Sequence, residues 1–422
     1  MKLSLNKVDF SPSKEDVKEL GKESKDFIKL VKQRIKKLKF KADVFVGGSF
    51  AKGTLIRSSE YDVDIFIRFH KDEKDISAKL EKILSDKEFK KRWKTEKVHG
   101  SRDYFRAQKG KVILEAIPVK RISKTSESEN VTDLSFFHVK YLNKKMNSKI
   151  AREITLAKKF CKAQGVYGAE SYINGFSGYG LECLIIYYKS FEKMIKDLVK
   201  VDSSKKKIID LEKSYKKKEE ILIGINESKL KSPIVLIDPT WKERNVLAAL
   251  NEETFVQFKQ AAQDYLKNPS LSFFEEKDKD WKSLEETARK ENYEFLHIQA
   301  FTDKQPGDIA GTKLKKFSRF IKQELSEYFE IKGMEFVYND EYDADIYVSV
   351  KSKGEVIKDG PPVLMKEYAA AFRAQNPKAY EKEGKLYSVV NVDFTAKQYL
   401  QDYYKKYQKQ IRAMDITKIE TN

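Results

Sequence analysis

The chain has 422 residues, of which 40% are hydrophobic, 12% aromatic and 35% charged; this is a globular profile and excludes a disordered chain. At roughly 150 residues per domain, the length suggests about three domains. Lys and Arg number 84 against 65 Asp and Glu, a net charge of +19, which attracts polyanions, nucleic acid first and an acidic membrane second.

The 22 Tyr and 26 Phe offer faces that can stack on unpaired bases; a Lys-rich surface without a polyanionic partner is the bland alternative. Cys161 and Cys183 sit in apolar stretches, as buried thiols of a reducing compartment do, and no zinc-ligand spacing is present. Met1-Lys-Leu-Ser-Leu runs into charged residues without a signal-peptide pattern, and no apolar run reaches the roughly 18 residues of a membrane span. A cytoplasmic protein without a membrane partner is expected.

In chain order, Ser13 to Leu38 is predicted to be an amphipathic helix, with Ser13 and Asp16 as its N-cap. Asp43-Val-Phe-Val reads as a strand ending at Gly47-Gly48-Ser49, and Lys52-Gly53-Thr54 is expected to open a helix. Asp62 to Phe69 alternates as a strand, Asp75 to Ser85 reads as a helix, and Lys111 to Val119 as a third strand. Helices are expected over Lys149–Gln164, Leu181–Met194, a Lys-rich Asp197–Leu222 and Asn251–Leu266, with a strand from Pro233 to Asp238. After a boundary near Pro269, strands are expected at Glu294–Phe301 and Ala344–Lys351. Helices are expected at Thr312–Phe329, Tyr368–Ala374 and Thr395–Met414. The fold class is α/β and α+β, multidomain.

The chemistry starts at Asp62-Val-Asp64. Alternate residues of a strand share a face, with Cα atoms roughly 6–7 Å apart, so the two carboxylates repel unless a cation lies between them. Two Mg²⁺ ions about 3.5–4 Å apart are the usual device for phosphoryl transfer. An isolated Asp-x-Asp is more often a solvated strand end. Glu115 lies within Val112-Ile-Leu-Glu-Ala-Ile-Pro-Val119, where burial is costly unless the acid is paired or holds a metal. It is either a salt-bridge partner of a nearby Lys or, if its strand lies beside the first, a third ligand. Upstream, Gly47-Gly48-Ser49 lets a phosphate approach backbone N–H groups, without the spacing of a P-loop.

Strand, Gly-Ser, short helix, Asp-x-Asp strand and a later strand acid occur in the order that resembles the polymerase-β-like nucleotidyltransferase superfamily. The segments Asp133-Leu-Ser135-Phe-Phe-His138, Lys158, Lys162-Ala-Gln-Gly165-Val-Tyr167-Gly168 and Gly175-Phe-Ser-Gly-Tyr179-Gly-Leu-Glu182 narrow it. With Asp238-Pro239-Thr-Trp-Lys-Glu-Arg244-Asn245 and Pro269-Ser-Leu-Ser-Phe-Phe274, the series resembles the archaeal-type (class I) CCA-adding tRNA nucleotidyltransferases. The resemblance covers residues 40–275, and Phe372-Arg373-Ala-Gln-Asn376 is its best trace beyond.

It implies a catalytic head over residues 1–145, a helical neck for nucleotide and base recognition over 146–265, and an α+β body and tail that bind tRNA over 266–422. It implies that Gly48 and Ser49 hold the triphosphate, that Lys52 is nucleotide-binding, and that Asp62, Asp64 and Glu115 are catalytic and bind two Mg²⁺. Ser135, His138, Lys158 and Tyr167 would surround sugar and phosphates, and Arg244, near Asp238, would help read the base. The implied reaction adds C, C and A to a tRNA 3′ end from CTP and ATP, releasing pyrophosphate, without a nucleic-acid template. The implied partner is the tRNA acceptor arm, and a homodimer is expected.

By chemistry alone, Lys158 reads as a solvated helix lysine, His138 as a satisfied histidine and Tyr167 as a core aromatic. The sequence departs from the family in having Glu at 115 for the usual Asp, Asp62 where Glu is frequent, Ser135 for Thr, and one extra residue between Ser49 and the paired acids. The rival functions are a poly(A) polymerase, a small-molecule nucleotidyltransferase and a non-catalytic RNA-binding protein. The runs Lys205–Lys207, Lys216–Lys218 and Lys313–Lys316, and Tyr403-Tyr-Lys-Lys-Tyr407, are either solvated faces or RNA contacts.

Overall fold

The computed structural model describes residues 8–100, 102–202, 205–276, 281–339 and 341–422. The Met1–Leu5 opening, expected to lack a signal peptide, lies outside them. Two compact units form, residues 1–276 and 277–422; each is described by itself. No helix among the described residues is long and apolar enough to cross a membrane.

The first unit begins with helix α1 (Lys14–Lys37), closed by the expected capping box of Ser13 and Asp16. Its apolar stripe, Leu20, Phe27, Val31 and Ile35, packs on a sheet. That sheet contains β1 (Ala42–Val46), β2 (Tyr61–Phe69), β3 (Lys94–Val98), β4 (Tyr104–Lys109) and β5 (Val112–Lys120), in the order β1-β2-β5-β4-β3. β2 and β5 run parallel, and the other neighbours are antiparallel. Helices α3 (Ile76–Leu84) and α4 (Lys87–Arg92) occupy the crossover between them. Val63, Ile65 and Ile67 point into the core, each contributing ~1.5–3 kcal/mol relative to an exposed side chain.

Lys52-Gly53-Thr54 does not open a helix; it closes α2 (Gly48–Lys52), and Gly53 takes the left-handed C-cap conformation, φ +62°. Glycine at this position signals a helix end rather than a beginning.

The same unit continues with α5 (Ser135–Lys145), α6 (Ser148–Ala163), α7 (Gly178–Tyr188) and α8 (Phe191–Leu198). The helix expected over Leu181–Met194 is two helices. Lys189 is left-handed, φ 65°, and the Ser190 side chain caps the second. The Lys-rich Asp197–Leu222 segment is not a helix either. Its described part holds β6 (Lys207–Asp210), whose Ile208 and Ile209 join a sheet, and the start of α9 (Lys218–Gly224); residues 203 and 204 lie outside the description. β6 pairs parallel with β7 (Ile234–Asp238), which pairs antiparallel with β8 (Trp241–Asn245). Helix α10 (Glu252–Lys267) follows. Phe160 lies 5.2–6.1 Å from Phe191, Phe258 and Phe274 at the centre of this core.

The second unit opens with α11 (Trp281–Lys290), β9 (Glu294–Phe301), α12 (Asp308–Tyr328), β10 (Phe329–Tyr338) and β11 (Asp343–Ser352). Next come β12 (Glu355–Pro362), α13 (Lys366–Gln375), β13 (Tyr380–Lys382), β14 (Lys385–Asn391), α14 (Ala396–Lys406), α15 (Gln408–Ala413) and β15 (Lys418–Thr421). An antiparallel sheet β10-β11-β9-β15 packs on α12 through Leu314, Phe317 and Ile321, and a smaller sheet has the order β12-β14-β13. The helix expected over Thr312–Phe329 starts at Asp308, and Phe329 already belongs to β10. The helix expected over Thr395–Met414 breaks at Tyr407.

Candidate active site

The alternation of β2 buries Tyr61, Val63 and Ile65 and leaves Asp62 and Asp64 on the opposite face. Parallel pairing sets Asp64 directly beside Glu115 of β5. Arg106 of β4 is the next neighbour in register, and its Nε donates to Glu115 Oε1 at 2.8 Å. Asp62, Asp64, Glu115 and Arg106 thus form one patch on the sheet face away from α1.

The Gly47-Gly48 turn leads the chain across this patch. Gly47 N donates to Asp64 O at 2.8 Å. Gly48 has φ +58°, and a Cβ there would lie 1.6 Å from Asp64 Oδ2. Only glycine permits both the conformation and the contact. Ser49 follows within α2 and is half-buried.

Burial pushes the Asp64 carboxyl up to about 6, with Asp62 adding to the rise and the Lys52 and Lys158 ammoniums opposing it. Burial, then the charges of Asp64 and Asp62, push Glu115 up to about 7 against the pull of Arg106. The donor set fits a divalent cation, because carboxylates that resist ionising beside one another are relieved by a shared positive charge. Among the described residues no three His, Cys, Asp or Glu side chains already form a ligand set; Glu115 is instead turned onto Arg106.

A second cluster lies at the end of α2. Glu182 of α7 is fully buried. Its Oε2 accepts from Lys52 Nζ at 2.6 Å, and its Oε1 from Thr54 Oγ1 at 2.7 Å and Lys158 Nζ at 2.7 Å. Burial would raise this carboxyl, but the Lys158 and Lys52 charges outweigh it and hold it down at about 2. Lys158 also donates to Thr54 O and Oγ1, at 3.3 and 3.0 Å. The Tyr167 hydroxyl is close by, 2.8 Å from where a Cβ on Gly178 would stand.

The third cluster gathers around Asp238, at the end of β7. Arg244 Nη1 donates to Asp238 Oδ2 at 2.6 Å and His138 Nε2 lies 3.1 Å from the same oxygen. Tyr179 Oη donates to Oδ1 at 3.2 Å, and Thr240 gives it a backbone N–H at 2.8 Å and a hydroxyl at 2.7 Å. Burial lowers the His138 imidazole from its ordinary range against the pull of Asp238, and a ring with its proton on Nε2 donates it to the carboxylate. Its ring stacks on Tyr179, centroids 3.9 Å apart. Ser135 opens α5 one turn before His138, on the same face.

The structure therefore brings Gly48, Ser49, Asp62, Asp64 and Glu115 together, joins Lys52 to Lys158, and joins His138 to Arg244. Sequence reasoning gave no role to Arg106, Tyr179, Glu182 or Thr240. Tyr179 and Glu182 stood in a segment that carried the family resemblance, without a role of their own. The lysine runs are partly committed elsewhere: Lys207 pairs with Asp197 at 2.5 Å and Lys313 with Asp415 at 2.7 Å. Tyr403 and Tyr407 pack against each other at a tilt of 36°, centroids 4.4 Å apart.

Comparison with known proteins identifies the family. A nucleotidyltransferase-domain family matches residues 25–127, and the second domain of tRNA nucleotidyltransferases matches residues 152–275. The chain is 33% identical to the CCA-adding enzyme of Nanoarchaeum equitans, over 92% of either chain. It is 28% identical to that of Saccharolobus islandicus, over 90% of this chain and 85% of the relative. Against the CCA-adding enzyme of Methanocaldococcus jannaschii it is 26% identical, over 94% and 88%.

Proposed function

The chain belongs to the family of CCA-adding enzymes, and on that premise we propose how its side chains divide the work of rebuilding a tRNA 3′ end. It is a nucleotidyltransferase, acting with nucleotides, tRNA and divalent metal. Our finer reading is that CTP and ATP are the substrates, that the RNA 3′-hydroxyl attacks the α-phosphate, and that pyrophosphate leaves.

Asp62, Asp64 and Glu115 hold two Mg²⁺, which when bound supply Lewis-acid stabilisation of the phosphates and ease ionisation of the attacking hydroxyl. Gly48 and Ser49 cradle the triphosphate, with Lys52 as its cation. Ser135, His138 and Tyr167 border the sugar and phosphates, with Lys158 behind them, its ammonium bonded to Thr54 and Glu182. Arg244 presents its planar fork to a base edge, held in direction by Asp238. Residues 1–145 serve as head, 146–265 as neck, and 266–422 as body and tail along the acceptor arm. The working form is a cytoplasmic homodimer, an assignment that rests on the family resemblance and that a solution mass would check.

The observation that carries this reading is the register that places Glu115 beside Asp64 on the face Asp64 shares with Asp62. The test is to supply tRNA lacking its 3′ end with CTP, ATP or both, and to sequence the products. Two C with CTP alone and C, C, A with both are expected. Long A tails and indifference to CTP would replace the reading with that of a poly(A) polymerase.

A further inference from the structure

We propose that Glu182 is a positioning residue for the nucleotide's phosphates: its buried carboxylate locks Lys158 to Thr54 and aims Lys52. The inference rests on the reading of the site given above, in which Lys52 meets the triphosphate.

The two lysines are not equivalent. An ammonium has three donors. Those of Lys158 are met by Thr54 O, Thr54 Oγ1 and Glu182 Oε1. Its amine is 3% exposed at the side-chain level, so it is sealed as well as saturated. Lys52 gives one hydrogen bond, to Glu182 Oε2, and makes no other among the described residues. Its two other donors meet no acceptor among the described residues, on a side chain 9% exposed whose charge also acts on Asp64. A phosphate oxygen is the chemistry that suits them.

The cluster spans elements that must be kept in register. Thr54 and Lys52 belong to the stretch that follows Gly48 and Ser49, whereas Lys158 and Glu182 sit on α6 and α7. Stability alone gives little reason for the arrangement, since a buried ion pair is often matched by apolar residues of the same volume. Fixing the direction of a flexible four-carbon stem does give a reason. With one carboxylate against two ammoniums, the cluster keeps one positive charge for the ligand.

The experiment measures equilibrium binding of CTP, ATP and cytidine to the full chain, for wild type, Glu182→Gln, Lys52→Met and the double variant. Glu182→Gln should weaken CTP and ATP alike by at least about tenfold, the loss of a charge-assisted contact, and leave cytidine unchanged. The double variant should bind CTP no more weakly than Lys52→Met alone, because both changes remove one interaction. Additive losses, or CTP affinity in Glu182→Gln within twofold of wild type, overturn the proposal. Should the Gln variant fail to fold, Glu182→Asp keeps the charge and shortens the reach. Weakened CTP binding by that folded variant supports the proposal and unchanged binding overturns it. A wild-type chain that binds neither nucleotide removes the reading of the site itself, and this inference with it.

Discussion

Tyr179 and Glu182 lie one helical turn apart on α7 and bond to different clusters: Tyr179 to Asp238, beside Arg244 and His138, and Glu182 to Lys52 and Lys158. One helix thereby ties the spacing of the residues proposed to face the base to that of the residues proposed to face the phosphates. Substitutions at the two ends should have separable effects.

Asp62→Ala or Asp64→Ala should abolish nucleotide addition while tRNA affinity stays near wild type, because the acids are proposed to hold metal and the affinity is proposed to come from Lys, Arg and aromatics. Glu115→Gln should be similarly damaging. Turnover with Mg²⁺ and gel-shift binding, measured on the same preparations, decide it; substantial residual turnover would sink the metal assignment.

Gly48→Ala should fold and still fail. The added Cβ has no place beside Asp64 Oδ2 and disfavours φ +58°. Displacing a ligand by about 1 Å costs on the order of 100-fold in rate. Single-turnover rates near wild type would show that Asp64 tolerates the shift.

Arg244→Ala should blunt the choice between CTP and ATP more than it slows addition of whichever base binds. Arg244→Lys should not restore the choice, since a point charge cannot replace a planar fork. The readout is the ratio of kcat/KM for the two nucleotides on a fixed tRNA end.

Glu182 links stability to acid. Its folded-state carboxyl is held near 2, below its ordinary 4.5. A depressed acid contributes stability that is complete above about 4.5 and is lost as pH falls through 2; the contribution is at most on the order of 3 kcal/mol. Urea midpoints followed downward from pH 6 should fall more steeply for wild type than for Glu182→Gln. Parallel slopes would remove the linkage.

Binding of tRNA should weaken steeply with salt, with a log–log slope of about −0.7 to −0.9 per phosphate neutralised. The motive is the net charge of +19. A flat response between low and physiological salt would argue for a small-molecule substrate.

Much of this site could be read from the sequence because its acids sit in strands whose alternation fixes their face. Asp62 and Asp64 needed only a period of two; Glu115 needed a strand pairing that local pattern cannot specify. The pairing of Lys158 with Glu182, and of His138 with Asp238, joins residues far apart in the chain, and no local spacing announces it. The Asp197–Leu222 segment misled for a different reason: its lysines suit a helix, but Ile208 and Ile209 gain more by burial against β7 than helix propensity gives.

The parallel pairing of β2 with β5 also constrains when the enzyme can become active. A hairpin of β1 and β2 can form early from neighbouring sequence, and it carries Asp62 and Asp64. Glu115 arrives only after α3, α4, β3 and β4 have been threaded through the crossover, the kind of non-local closure that is slow in folding. A chain arrested before that step presents an incomplete acid set, so a partly folded or nascent head should be inert toward nucleotides rather than weakly and indiscriminately active.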